Sequence, residues 1–352
     1  MIHVPTRETA REMHGPMFSR KDRATPKDRR PICALAVDAE EDFDWDRPLA
    51  TTEHSTHCMR GISQLQEIVA AYGVRPTYLL TYPVLQDETV VHLLRRQLAL
   101  GQCELGAQLH PWVTPPLHLD GGLEASFSGN LPPALEEEKL VALKSRFIAC
   151  FGLAPTAYRA GRYGFGPHTA ELLERHGFQI DTSVAPRTTS GEGGPDYADF
   201  DYDLFWFGQR HNLLEVPLCR SVVGWGGNLA PAAYRRLQSP ILARLKVAAM
   251  MTRLRFAERI TLSPEGNDVG AMLRLVRHLR ARGQSVFVLS FHSSSLAAGQ
   301  NPYVRTRADL HGFYDRLSGV LHAMATEMDF RFATLSELPS HLLPPPVSAT
   351  RA

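Results

Sequence analysis

Short apolar runs alternate along this chain with stretches in which apolar residues recur every three or four positions. The runs at residues 32–37, 77–81, 103–108, 157–159, 179–181, 213–216 and 286–291 have the length of buried strands. The periodic stretches at 59–72, 89–100, 135–151, 167–176 and 269–282 have the length of amphipathic helices. Repeated alternation of strand and helix predicts an α/β fold with a mostly parallel sheet, and about seven such units suffice to close a distorted (β/α) barrel. Longer loops interrupt the pattern at 113–131 and 184–212, and residues 234–256 form a helical stretch, basic on one side, within an insertion near 231–259. Residues 1–30 read as a flexible arm, 31–342 as one folded domain and 343–352 as a flexible tail opened by prolines.

Composition narrows the partners. With 44% hydrophobic and 21% charged residues and a formal net charge of +1, nothing favours nucleic acid or an anionic membrane, and neutral or weakly charged substrates are expected. A chain of 352 residues buries roughly three quarters of its unfolded surface and needs no covalent staples. Cys33, Cys58, Cys103, Cys150 and Cys219 are scattered without a C-x-x-C pair, as in a reduced cytosolic protein. The first thirty residues hold no apolar signal region and no run approaches a membrane span, so a cytoplasmic location is expected.

Chemistry collects where the predicted strands end. The first ends in Asp38-Ala39-Glu40-Glu41-Asp42, the third in Gln108, His110 and Trp112, the fourth in Arg159-Ala160-Gly161-Arg162-Tyr163 and the last in His292-Ser293-Ser294-Ser295. The C-terminal ends of barrel strands share one mouth, so these groups would converge there. Strand alternation puts Gln108, His110 and Trp112 on one face. A metal-bound water, acidified from bulk to a pKa of about 7, needs a few carboxylate or imidazole ligands and an open position. Glu40 and His110 are suited to that task, Asp38 to the general base, Arg159 to holding that base ionised, and His292 to protonating a leaving amine. Bland alternatives remain for several residues. Asp42 and Asp44 suit turn or helix capping, His54 and His57 suit capping or solvent, and Trp112, Tyr163 and Trp225 suit either a substrate wall or core packing.

The motifs Val37-Asp38-Ala39-Glu40, Glu104-Leu105-Gly106-Ala107-Gln108-Leu109-His110, Tyr158-Arg159-Ala160-Gly161-Arg162-Tyr163-Gly164, Asp181-Thr182-Ser183-Val184-Ala185-Pro186 and Leu289-Ser290-Phe291-His292-Ser293 occur in this order. Together they resemble those of the NodB-type polysaccharide deacetylases, carbohydrate esterase family 4. Gly194-Pro195-Asp196, Leu262-Ser263-Pro264-Glu265-Gly266 and Asn301-Pro302-Tyr303-Val304-Arg305 are similar to a WalW-like bacterial branch. The resemblance implies a metal-dependent hydrolase that removes N-acetyl groups from a sugar or polysaccharide precursor in envelope or exopolysaccharide biosynthesis. It also implies a divalent cofactor, commonly zinc. Asp38 matches the family's base and His292 its acid, with Arg159 in the third motif. The metal-ligating acid falls at Glu40, since Ala39 stands at the usual position. The family's two histidines match Gln108 and Trp112, and His110 lies between them as a ligand of the branch's own pattern.

Gln108 therefore stands where an imidazole is expected, and an amide oxygen is a poorer zinc donor. Four outcomes follow: Gln108 ligates through its oxygen, a metal preferring oxygen is used, Glu41, His54 or His57 completes the shell, or metal and catalysis are lost. The last would leave a carbohydrate-binding pseudoenzyme. An amidohydrolase acting on a small N-acyl or cyclic amide would share the whole machinery, whereas Asp38 and Glu40 are too close on one strand to flank a glycosidic bond.

Overall fold

The computed structural model describes residues 22–42, 54–117, 122–190, 193–224 and 258–345. Its strands are β1 (Asp22–Arg23), β2 (Ile32–Ala39), β3 (Thr77–Leu80), β4 (Glu104–Leu109), β5 (Ala157–Ala160), β6 (Ile180–Asp181), β7 (Phe205–Phe207), β8 (Leu213–Glu215), β9 (Arg220–Val223), β10 (Glu258–Thr261), β11 (Val286–His292) and β12 (Arg331–Phe332). The helices are α1 (Ile62–Ala70), α2 (Tyr82–Gln86), α3 (Glu88–Ala99), α4 (Pro133–Phe151), α5 (Thr169–Arg175), α6 (Val269–Ala281) and α7 (Arg307–His322). Among the described residues, no helix is long and apolar enough to cross a membrane.

Seven parallel strands run side by side in the order β11, β2, β3, β4, β5, β6, β8, and the antiparallel pair β7 and β1 extends the far edge. Every residue of β2 is buried, which is why it reads as an uninterrupted apolar run rather than an alternating one. The gap between β11 and β8 is bridged irregularly. Ser290 N donates to Leu262 O, Leu262 N to Cys219 O, and Val288 N to the Cys219 sulfur. The distorted α/β barrel with about seven parallel strands is thus present, its last seam made by single bonds instead of a ladder.

Local signals account for the helix ends. Asp87 caps α3 by accepting from Thr89 N and Val90 N, Asp268 caps α6 through Ala271 N, and Gly152 ends α4 in the left-handed conformation at φ 71°. The stretch 59–72 differs from its expected single helix. It opens as a tight turn, His57–Gly61, and Gly61 passes so close to Leu296 that a Cβ there would lie 2.6 Å from the Leu296 Cβ. Helix α7 has no counterpart among the predicted elements, although Thr306 and Asp309 form a capping box before it. The arm expected through residue 30 is already paired at Asp22–Arg23, and the expected tail begins with Leu343 N donating to Thr25 O. The helical stretch 234–256 and Trp225 lie outside the described residues, while Glu258 and Arg259 are strand.

Candidate active site

Strand register explains how the polar groups meet. Asp38 and His292 are paired neighbours on β2 and β11, and Gln108 and Arg159 are paired neighbours on β4 and β5. Paired residues of a parallel sheet point to the same side, so each pair delivers both side chains into the barrel. Asp38, Glu40, Gln108, His110 and Arg159 are all buried. The Arg159 guanidinium donates from Nη1 to Asp38 Oδ1, and it is itself held by Ser290 Oγ at 3.2 Å, by Thr182 O at 3.0 Å and by Thr182 Oγ1 at 3.2 Å. Removing either partner would leave the other buried without its counter-charge, which is costly.

On the other side of Asp38, His292 presents Nε2 to Asp38 Oδ2 at 3.7 Å. Its Nδ1 hydrogen-bonds Glu265 Oε2 at 2.9 Å, and its backbone N donates to Glu265 Oε1 at 3.0 Å. Ser295 Oγ also donates to Glu265 Oε1, at 2.6 Å. Burial acts to lower the His292 pKa, but the Glu265 and Glu40 carboxylates outweigh it and hold the imidazole well above its ordinary value. Burial acts to raise Glu265, and His292 overcomes it, leaving that carboxyl below its usual range. The pair is an ionised dyad with Nε2 aimed at the base. Sequence patterns assigned Glu265 no role. It lies beyond β10 in a Pro-Glu-Gly turn, and its only signal there was a carboxylate within the stretch Leu262-Ser263-Pro264-Glu265-Gly266.

The third cluster is built on His110. Its Nδ1 hydrogen-bonds Glu41 Oε1 at 2.9 Å, and its Nε2 faces Glu40 Oε2 at 3.6 Å. Gly161 allows this approach, because a Cβ there would lie 2.6 Å from His110 Cδ2. Burial raises the Glu40 pKa well above its usual value, with Asp38 and Glu41 adding to the effect and His292 opposing it. For Glu41 burial is again the largest influence and acts upward, but His110 draws the net value below the ordinary one. Three buried oxygens here, Glu40 Oε1, Glu41 Oε2 and Gln108 Oε1, have no hydrogen-bond partner among the described residues.

The fold has counterparts among solved structures. A Mycobacterium smegmatis protein assigned as a polysaccharide deacetylase matches over 95% of this chain and 100% of its own, at 16% identity and a TM-score of 0.51. The fold is that of the NodB-type polysaccharide deacetylases. PuuE allantoinase matches this deacetylase fold over 90% of the chain and 91% of its own, at 12% identity and a TM-score of 0.50. No family model and no curated protein matches the sequence. Identities this low establish architecture, and the chemistry must be argued from the side chains.

Deacetylases of this fold generally use a divalent metal, and the donor set here admits one of restricted kind. Among the described residues no three His, Cys, Asp or Glu side chains gather where an ion could sit. What is present is one imidazole, one carboxylate and the unpartnered amide oxygen of Gln108. The 3.6 Å between His110 Nε2 and Glu40 Oε2 suits two ligands at about 2.0–2.2 Å from one ion. The carboxylate behind Nδ1 is the outer partner that ligating histidines usually have. His110 and Glu40 are thus spaced for a shared divalent ion, and the unpartnered Gln108 oxygen, a hard donor, would suit zinc less well than an imidazole.

Trp112, a candidate substrate wall, is 3% exposed and stacks on His110 with ring centroids 4.1 Å apart. Glu41 sits behind His110 instead of completing a shell. His54 and His57 line a cavity of about 690 Å³ with Arg60, Tyr82 and Asp87. Asp42 anchors the nearby turn, accepting from Ser55 Oγ and His57 N, as a capping residue would. Tyr163 stays at the mouth, half-buried, with φ +61° following Arg162 at φ +53°. Two successive non-glycine residues in the left-handed region mark a strained turn of the kind found at functional sites.

Proposed function

We propose that this chain hydrolyses an amide bond, removing an N-acetyl group from a sugar or polysaccharide precursor, as a cytoplasmic enzyme of the WalW-like branch. One observation carries the reading: a buried aspartate held by Arg159 faces, at 3.7 Å, a histidine whose Nδ1 hydrogen-bonds Glu265. Asp38 accepts a proton as water adds to the acetyl carbonyl. His292 gives its Nε2 proton to the amine nitrogen as the C–N bond breaks, leaving acetate and a free amino sugar. A divalent ion held by Glu40, His110 and the Gln108 oxygen would acidify water and polarise the carbonyl. Tyr163 would border the bound acetamido group.

The test is acetate release from N-acetylated sugar oligomers, compared with hydrolysis of small cyclic amides, for the natural protein and an Asp38→Asn variant. Release that vanishes with Asp38→Asn supports the sugar reading, and turnover of cyclic amides alone overturns it. That second reading, an amidohydrolase for small cyclic amides, is favoured by one finding, the match to PuuE allantoinase over nine tenths of the chain. No turnover of either class, with no metal bound, would leave a carbohydrate-binding pseudoenzyme.

A further inference from the structure

The ribbon of β9 and β10 stands beside the catalytic histidine and carries an arginine that the chemistry above does not use. Arg220 pairs in register with Thr261, and its Nε donates to Thr261 Oγ1 at 2.8 Å. The ribbon is rooted at the site. Cys219, just before Arg220, accepts from Val288 N of β11, and Leu262, just after Thr261, accepts from Ser290 N. Ser290 in turn holds Arg159, and Glu265 follows three residues beyond Leu262. Through Thr261, Leu262 and Ser290 the chain of contacts from Arg220 leads to Arg159 at the mouth of the site.

Burial, with Arg259 adding to it, acts to lower the Arg220 pKa, and among the described residues no carboxylate is paired with its guanidinium. Glu258, on the same ribbon, is committed to Arg274 at 2.8 Å. Residues 225–257 contain no Asp or Glu, and Glu258 just beyond them is the acid paired with Arg274. Arg220 is half-buried, and among the described residues its two terminal nitrogens meet no carboxylate or carbonyl, although each is a strong donor in a planar fork. A half-desolvated guanidinium without an anion is costly, and the same fork binds carboxylate or phosphate through two parallel hydrogen bonds.

We propose that Arg220, beside Tyr163, forms a subsite for an anionic substituent, a carboxylate or a phosphate, carried by the substrate next to the amide presented to Asp38 and His292. The inference rests on the proposed amide hydrolysis for its placement, and it revises the expectation of a neutral substrate. Net charge averages over the whole surface, whereas a binding preference is set by the few charges at the mouth.

Calorimetric binding to the Asp38→Asn protein tests it, with N-acetylglucosamine as the neutral probe, N-acetylmuramic acid as the carboxylate and N-acetylglucosamine 6-phosphate as the phosphate. The anionic sugars should bind about tenfold or more tighter than the neutral one. Arg220→Met should erase that preference and leave neutral binding unchanged, Arg220→Lys should keep part of it, and whichever anion benefits more identifies the source. Equal affinity for all three sugars, or a preference that survives Arg220→Met, overturns the proposal. If no sugar binds, the sugar reading fails separately. Thermal stabilisation by inorganic phosphate or acetate over chloride at equal ionic strength then decides for Arg220: loss in Arg220→Met supports the subsite, and no difference between the two proteins overturns it.

Discussion

On the Asp38 side of the site every ionic group has its partner, whereas on the Gln108 side three buried oxygens have none among the described residues. Asp38 has Arg159, His292 has Glu265, and Arg159 is fixed again by Thr182 and Ser290. Around His110 one Glu41 oxygen is bonded, and among the described residues Glu40 Oε1, Glu41 Oε2 and Gln108 Oε1 stand buried and unpartnered. Groups for moving protons are preorganised by the protein itself, which lowers the cost of reaching the reactive geometry. The ligand half is completed only by something added, and its orphaned acceptors carry a desolvation cost until then. The proposed activity would therefore depend chiefly on how well the weaker half holds an ion.

The comparison is broken most directly at the base. Asp38→Asn should lower turnover by about 10²- to 10⁴-fold in steady-state kinetics without lowering metal content, because it removes the proton acceptor and leaves Glu40, His110 and Gln108 in place. Unchanged turnover would remove the whole acid-base half from the mechanism. Arg159→Met comes next. Stranding Asp38 as a buried charge should destabilise the fold by about 3–5 kcal/mol in urea denaturation, and a loss under about 1 kcal/mol would mean that the ion pair is not buried as described.

The ligand half is sharpened by restoring what the sequence lacks. Gln108→His should raise divalent affinity at least about tenfold in chelator competition, since even changes outside the ligand shell alter affinity by about 10 to 100-fold. Metal retained near one equivalent by the natural protein would show that the amide oxygen suffices. Metal seen only in the variant would favour the binding-protein reading.

Much of this architecture was legible in the chain because it rests on repeated local signals. The buried runs at β2, β4 and β11 are long and apolar, and their polar ends mark the mouth. Strand register turned Asp38 and His292 into neighbours, a relation the motif order had implied without a distance. What escaped the sequence was non-local. Glu265 reaches His292 from a loop 27 positions earlier, and no periodicity predicts that contact. Trp112 carries the same residue type whether it faces a sugar or braces an imidazole, and only packing distinguishes them. Strands β7, β9 and β10 are three or four residues long, too short to show a period.

The smallest expected effect lies behind the acid-base half. Asp181 and Glu215 are paired across β6 and β8, both wholly buried, and together they support the segment that holds Arg159. Asp181 Oδ1 accepts from Ser183 Oγ at 2.6 Å, Ser183 Oγ accepts from Ala160 N at 2.8 Å, and Glu215 Oε1 accepts from Val184 N at 3.0 Å. Glu215 Oε2 has no donor, which a proton shared between the two carboxyls would supply. Burial pushes Glu215 well above its ordinary range, with Asp181 adding to it, and burial raises Asp181 as well. A folded-state value above the unfolded one means that the folded chain keeps a proton the unfolded chain releases. The associated stability is complete below the usual glutamate range and is lost as pH rises through the raised value. Glu215→Gln supplies a permanent N–H donor and removes that titration. Urea denaturation between about pH 5 and 8 should show the natural protein losing about 1 kcal/mol or more relative to the variant, since a tenfold difference in proton affinity between folded and unfolded chains corresponds to about 1.4 kcal/mol. Equal slopes would mean that both carboxyls are ionised across that range, and the support beneath Arg159 would then have to come from Thr182 and Ser183 alone.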